Sequence, residues 1–212
     1  LILNPENPTS EYIRFAHGLH EPLGLLYHEG SFFCNQRGEL TQLIDEDGDN
    51  QADIYKTITQ WDLNGNYHEY SYGPVLLPDG QMLVTLNLGW EGYGVSASKW
   101  RGWMLKVSQD GQVTPYATGL RSPAGFGVNA EGDIFYTENQ GDWVGSGRMT
   151  HLELGDFAGN PAGLRWSGEI GSPVNLKVED IDDTEKISLY DLSLIHISEP
   201  HETPEHLVCR LL

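Results

Sequence analysis

Between Asp45 and Asp53 the chain reads "DEDGDNQAD", which places Asp45, Asp47, Asp49 and Asp53 at positions 1, 3, 5 and 9 of a short loop. Calcium takes six to eight oxygen ligands at adaptable angles, and alternate carboxylates on a tight loop converge on one point. Gln51, at position 7, can add its backbone carbonyl, and Gly48 and Asn50 tolerate the left-handed backbone that such a loop requires. Four carboxylates this close repel one another unless a cation lies among them. Position 12 is Lys56 rather than a bidentate Glu, so the loop is no EF-hand; it is similar to the Asp-x-Asp-Gly-Asp-x-x-x-Asp loops of secreted repeat proteins. The plainer alternative is a solvated acidic turn.

The rest of the composition suits a cation partner and argues against others. Asp and Glu number 31 against 12 Lys and Arg, a formal net charge of -19, which repels nucleic-acid phosphates and anionic lipid. No apolar run approaches the length of a membrane span. With 212 residues, 39% of them hydrophobic, the chain can bury a core. Two cysteines, Cys34 and Cys209, make no disulfide framework. The chain opens "LILNPENPTS" without an initiator Met, which reads as an internal piece of a longer protein. Leu192 to Thr203, "LSLIHISEPHET", resembles the translation of a transposase adapter used in DNA sequencing. Residues 192–212, with His196, His201, His206 and Cys209, are therefore set apart from residues 1–191 as a non-native tail.

The elements that must position the acidic loop repeat along the chain. "FAHGLHEPLGLLYHEGSFF" from Phe15 and "YATGLRSPAGFGVNAEGDIFYTEN" from Tyr116 share aromatic-Ala-x-Gly-Leu-x-x-Pro-x-Gly, a short apolar run, a Gly turn and an aromatic strand. "YGPVLLPDGQMLVTLN" is a partial third copy. The turn glycines Gly30, Gly80 and Gly132 lie about 50 residues apart, the length of one four-stranded propeller blade. The segments between are short, β-rich and bounded by Gly, Asn or Asp, and no 3.6-residue period is sustained. The expected fold is all-β: about three four-stranded blades of a β-propeller plus an edge strand from "EYIRFAHGL". Closed propellers have about four to eight blades, so this length does not close a ring. A β-sandwich accounts for the strands but not for the repeat.

"GLRSPAGFGVNAEGDIFYTENQGDW" is similar to the Gly-x-Arg-Asn-Pro-x-Gly-(strand)-Asp-Gly-x-(strand)-Glu segment of the soluble glucose/sorbosone dehydrogenases, and "NYHEYSYGPVLLPDGQMLVT" to their His-then-Pro-Asp-Gly-strand segment. Those proteins are six-bladed propellers that use pyrroloquinoline quinone (PQQ) and calcium. Together with "DEDGDNQAD" and "QGDWVGSGRMTHLELGDFAGNPAGLRW", the pattern resembles most the membrane-bound-dehydrogenase branch of large secreted bacterial proteins, many of which carry a haem-binding cytochrome domain further along. The resemblance covers roughly Glu11 to Trp166.

The resemblance implies a secreted or periplasmic oxidoreductase acting on a sugar or alcohol, with a cytochrome domain as a partner outside this segment. In that pattern His68 matches the general base and Arg121 the arginine that holds the quinone and polarises its carbonyl. The segment Glu138 to Asp142, with Asn139, Gln140, Gly141 and Asp142, matches the loop that approaches calcium and cofactor. His20 occupies the place of Arg121 in the first repeat, two residues after a Gly and two before Pro22. Each of these side chains can instead join blade loops together by ordinary hydrogen bonds. Ser122 stands where the family has Asn, "ENQGDW" replaces a loop with a Gly-Pro pair, and His68 lies a residue further from Asp79 than the pattern has it. These departures, with the many Trp and Tyr residues, leave open a second reading: a non-catalytic, calcium-stabilised propeller that binds a glycan or a protein.

Overall fold

Gly30, Gly80 and Gly132 each close a hairpin, and each adopts a positive φ (80°, 82° and 94°) that a side chain would resist. The computed structural model describes residues 12–66, 68–89, 98–138 and 147–181. In it the three turns join β1 (Leu25–His28) to β2 (Ser31–Asn35), β5 (Ser71–Leu76) to β6 (Met82–Leu86) and β9 (Gly125–Val128) to β10 (Ile134–Glu138). Asp79 and Asn129 brace the later two turns by accepting backbone N–H groups from Gln81 and from Glu131 and Asp133. Each hairpin then continues as a meander, through β3 (Glu39–Ile44) and β4 (Ile54–Gln60), through β7 (Trp103–Val107) and β8 (Val113–Thr118), and through β11 (Arg148–Leu152). The sheets are β1-β2-β3-β4, β5-β6-β7-β8 and β9-β10-β11, antiparallel throughout.

The first strands of the three sheets lie against one another, β1 against β5 and β5 against β9. Glycine makes this approach feasible. A Cβ on Gly24 would fall 1.6 Å from the carbonyl oxygen of Gly73, and one on Gly73 would fall 2.9 Å from the Phe126 ring. Three meanders sharing an inner edge are consecutive blades of a propeller. In a sandwich, two sheets would instead stack face to face.

The middle blade is apolar on both faces because a strand's side chains alternate. Met82, Val84 and Leu86 of β6 pack with Phe33 and Leu40 of the first blade. Leu83, between them, packs with Ile134 and Tyr136 of the third. The outer blades show the opposite, with Leu25 64% and Met149 57% exposed.

Two details depart from the expected architecture. The third blade has three strands among the described residues. After β11 the chain turns at Gly155 and Gly159, bridges Phe157 to Thr118, and forms a 3-10 turn at Pro161–Trp166 whose Gly163 carbonyl accepts the Trp103 indole N–H at 2.7 Å. It thereby covers the middle blade. The segment from Ile13 to Leu23 forms no strand, since Gly18 and Glu21 both take positive φ and turn the backbone. The tail 192–212, the opening residues and the loop Asn139 to Asp142 lie outside the described residues.

Candidate functional site

His68 and Tyr70, on the turn that leads into β5, and Tyr72, within it, face the same hollow. Their rings succeed one another at centroid separations of 6.2 and 6.4 Å. They form one wall of a cavity of about 490 Å3. Asn87 and Leu88, just past β6, Arg121 and Ser122, just before β9, and Glu138, at the end of β10, complete it. The structure thus brings His68 and Arg121, 53 residues apart by number (68 to 121), to one hollow at the inner ends of the second and third blades.

The segment that carries His68 is pinned by two arginines. Arg101, fully buried, donates to the carbonyls of Tyr70 at 2.7 Å and Asp62 at 3.2 Å. Burial pulls its guanidinium down to about 10, against the opposing pull of the buried Glu69 carboxylate, and it remains a cation at neutral pH. Arg37 donates to the Asn66 carbonyl and lies over the Tyr70 ring at 5.9 Å. Within the segment, the His68 amide donates to Asn66 Oδ1 at 2.9 Å, and Glu69 accepts the Asn64 amide at 2.8 Å.

Arg121 is held through its backbone. The Glu138 carboxylate, 6% exposed, accepts the Arg121 N–H at 2.7 Å on one oxygen and the Ser122 N–H at 2.9 Å on the other. The Arg121 carbonyl accepts the Leu88 N–H at 2.9 Å. The loop carrying the cation is therefore tied to β10 on one side and to the end of β6 on the other. Burial, then the nearby Tyr70 and Glu138, push the Tyr72 phenol above its ordinary range, so it faces the cavity as a hydroxyl.

The other candidates read from the residue pattern are not gathered here. His20 is exposed and does not line the cavity; its amide donates to Gln36 Oε1, and its carbonyl accepts the Arg37 N–H. The repeat is nonetheless visible in it, because Gln36 holds the His20 amide as Glu138 holds that of Arg121. Asn139, Gln140, Gly141 and Asp142 lie outside the described residues.

The acidic loop joins β3 to β4 and contributes nothing to the cavity lining. Carboxylate oxygens of Asp45, Asp47 and Asp49 lie within 4.8 Å of one another. Asp45 accepts the Gly48 and Asn50 amides and Asp47 the Asp49 amide, so the backbone holds these carboxylates together. Asp53 instead receives the Glu46 amide at 2.8 Å, and the Gln51 side chain donates to Asp49. Asp45, Asp47 and Asp49 are an oxygen-only set that fits calcium.

Part of this wall is legible in the residue order. His68, Tyr70 and Tyr72 stand close together in the sequence, at the start of the segment that becomes β5. Asn87 and Glu138 sit in the paired "TLN" and "TEN" ends of the repeat. No sequence signal marks Arg101, whose partners are distant backbone carbonyls.

Meander sheets fanning from a shared inner edge, with a cavity at that edge, define the segment as part of a β-propeller. The solved structures that share this fold are more particular. They include a glucose dehydrogenase (13% identity, 70% of this chain and 53% of that one, TM-score 0.52). A second is an oxidoreductase described as a glucose dehydrogenase from Thermus thermophilus (15% identity, 71% and 55%, TM-score 0.53). A third is a Trichoderma reesei carbohydrate-active enzyme of family AA12 (15% identity, 62% and 39%, TM-score 0.50). At these identities the likeness is one of fold, and the chain spans about half the length of the glucose dehydrogenases it matches. No family model and no curated protein matches it.

Proposed function

We propose that the chain belongs to an extracytoplasmic oxidoreductase that oxidises a sugar or alcohol hydroxyl with PQQ, and that the acidic loop is a structural calcium clip. The observation that carries the proposal is the meeting of His68 and Arg121 at one cavity. The donor set suits an anionic quinone: Arg121 offers a permanent cation and Tyr72 a hydroxyl, in a hollow of about 490 Å3 that can house a small ring system. The quinone, when bound, supplies the acceptor for a hydride.

The chain's own residues do the rest. His68 takes the proton from the substrate hydroxyl as the carbonyl forms. Arg121, whose backbone amide is held by Glu138, would hold the quinone through its guanidinium. Tyr70 and Tyr72 wall the cavity, and Arg101 and Arg37 keep the His68 segment in place. His20, away from the cavity, has no part in this reading.

The test is dye reduction with aldoses by the full-length protein loaded with PQQ and calcium. Turnover is expected, and His68→Ala should lower kcat by about 100-fold or more while PQQ still binds. Binding of sugars without any PQQ binding would instead favour the glycan-binding propeller.

A further inference from the structure

Asn87, the residue after β6, lines the cavity. It is 3% exposed, yet its side-chain Oδ1 has no hydrogen-bond partner among the described residues. Its backbone is fully engaged: its amide donates to the Tyr70 carbonyl at 3.2 Å, and the next amide, of Leu88, donates to the Arg121 carbonyl at 2.9 Å. Asn87 is thus fastened both to the segment that carries His68 and to the loop that carries Arg121, and it lines the cavity with both.

A buried amide oxygen without a donor is costly, and folded proteins rarely leave one so. Nearby backbone donors are already committed: the Arg121 and Ser122 amides to Glu138, the Leu88 amide to Arg121 and the Tyr70 amide to the His68 carbonyl. Packing alone does not call for the amide, since Leu has nearly the same branched shape and Leu86 and Leu88 flank the position. The committed backbone amides leave none for Oδ1, so a ligand in the cavity can supply the donor. A quinone tricarboxylate offers almost only acceptors, which Oδ1 would repel. A polyol offers a donor at every hydroxyl, and the Tyr72 hydroxyl can engage the same molecule.

We propose that Asn87 is a substrate-specificity residue, its Oδ1 accepting a hydrogen bond from a sugar hydroxyl next to the one that His68 deprotonates. The proposal rests on the dehydrogenase reading for the identity of the neighbouring hydroxyl, but sugar recognition by Asn87 can be tested apart from it.

The experiment uses the full-length protein with Asn87→Leu and Asn87→Asp, and D-glucose with its singly deoxygenated analogues as probes. Three quantities are measured: ligand-free melting temperature, PQQ affinity by absorbance titration, and sugar affinity, read as KM in dye reduction and as Kd by calorimetry. Asn87→Leu should leave the melting temperature unchanged or raised, since it removes an unpaired polar atom. It should leave PQQ affinity within about two-fold and weaken sugar binding about ten-fold, roughly one hydrogen bond. That loss should vanish for the one deoxy sugar lacking the partner hydroxyl, and Asn87→Asp, which keeps the acceptor, should restore discrimination among the analogues. A lower melting temperature with unchanged sugar affinity would make Asn87 structural and overturn the proposal. So would an equal loss for every deoxy sugar, or a protein that binds none of the sugars. Sugar binding that depends on Asn87 in a protein that never binds PQQ would retain the proposal and overturn the dehydrogenase reading.

Discussion

Glu138 gives the cavity its most exposed dependence on a single side chain. Its two oxygens each take one backbone N–H, from Arg121 and Ser122. Glu138→Gln replaces one acceptor with an NH2 that cannot accept, so one amide loses its partner inside the protein. The expected cost is about 1–3 kcal/mol in urea unfolding, with a loss of PQQ affinity larger than that of a surface Glu→Gln control. Cys34 makes a second residue-scale case. It is 2% exposed, and burial pushes its thiol up to about 11 from an ordinary 9.0. Below pH 9 the thiol is neutral in both the folded and the unfolded chain, so it contributes no pH dependence there. Between pH 9 and 11 the unfolded chain releases the proton and the folded chain keeps it, so this group lowers stability as pH rises. Cys34 should resist iodoacetamide at about pH 8 in the native protein and react in the urea-unfolded protein, read site by site by peptide mass. At this scale the sequence offered only part of the site. His68 and Arg121 could be matched by motif, but an orphaned oxygen such as that of Asn87 is created by packing and has no signature in residue type.

Glycine pairs decide how the elements meet. The Pro-x-Gly of the repeat, at Gly24 and Gly125, was legible as a pattern, but its purpose was not. Gly24 lies where β1 crosses the Gly73 carbonyl, and a Cβ at Gly125 would fall 2.4 Å from Thr137 Oγ1. Gly24→Ala, colliding with backbone rather than a movable side chain, should destabilise the first two blades by about 1–3 kcal/mol or more, measured by urea unfolding. The hairpins themselves could be read because turn chemistry is local: the Gly after Asp or Glu supplies the φ > 0 that these tight turns need. The return of residues 155–166 onto the middle blade could not, because it depends on a Trp103–Gly163 contact between residues far apart in the chain. The acidic loop joins β3 to β4, the last two strands of the first blade. Asp47→Ala or chelation should lower the melting temperature while leaving PQQ and sugar binding at the cavity unchanged. Equal loss of both would put calcium at the site.

At the scale of the whole molecule, the middle blade is finished and its neighbours are not. Both faces of β6 are buried, whereas Leu25 and Tyr27 on β1 are exposed, and Phe126, Val128, Tyr136 and Met149 line an apolar hollow of about 560 Å3 on the third blade. Propeller blades cover such faces with further blades. Among the described residues no helix is long and apolar enough to cross a membrane. On a chain of net charge -19, Arg121 places a cation in the cavity lining. The central claim, that His68 and Arg121 serve one quinone in one cavity, is tested most directly by an absorbance titration of PQQ into the calcium-loaded full-length protein and its Arg121→Met variant. A saturable spectral shift in the parent protein and at least about ten-fold weaker binding in the variant are predicted, the loss of one charge-assisted contact. No shift, or the same affinity in both proteins, would contradict it.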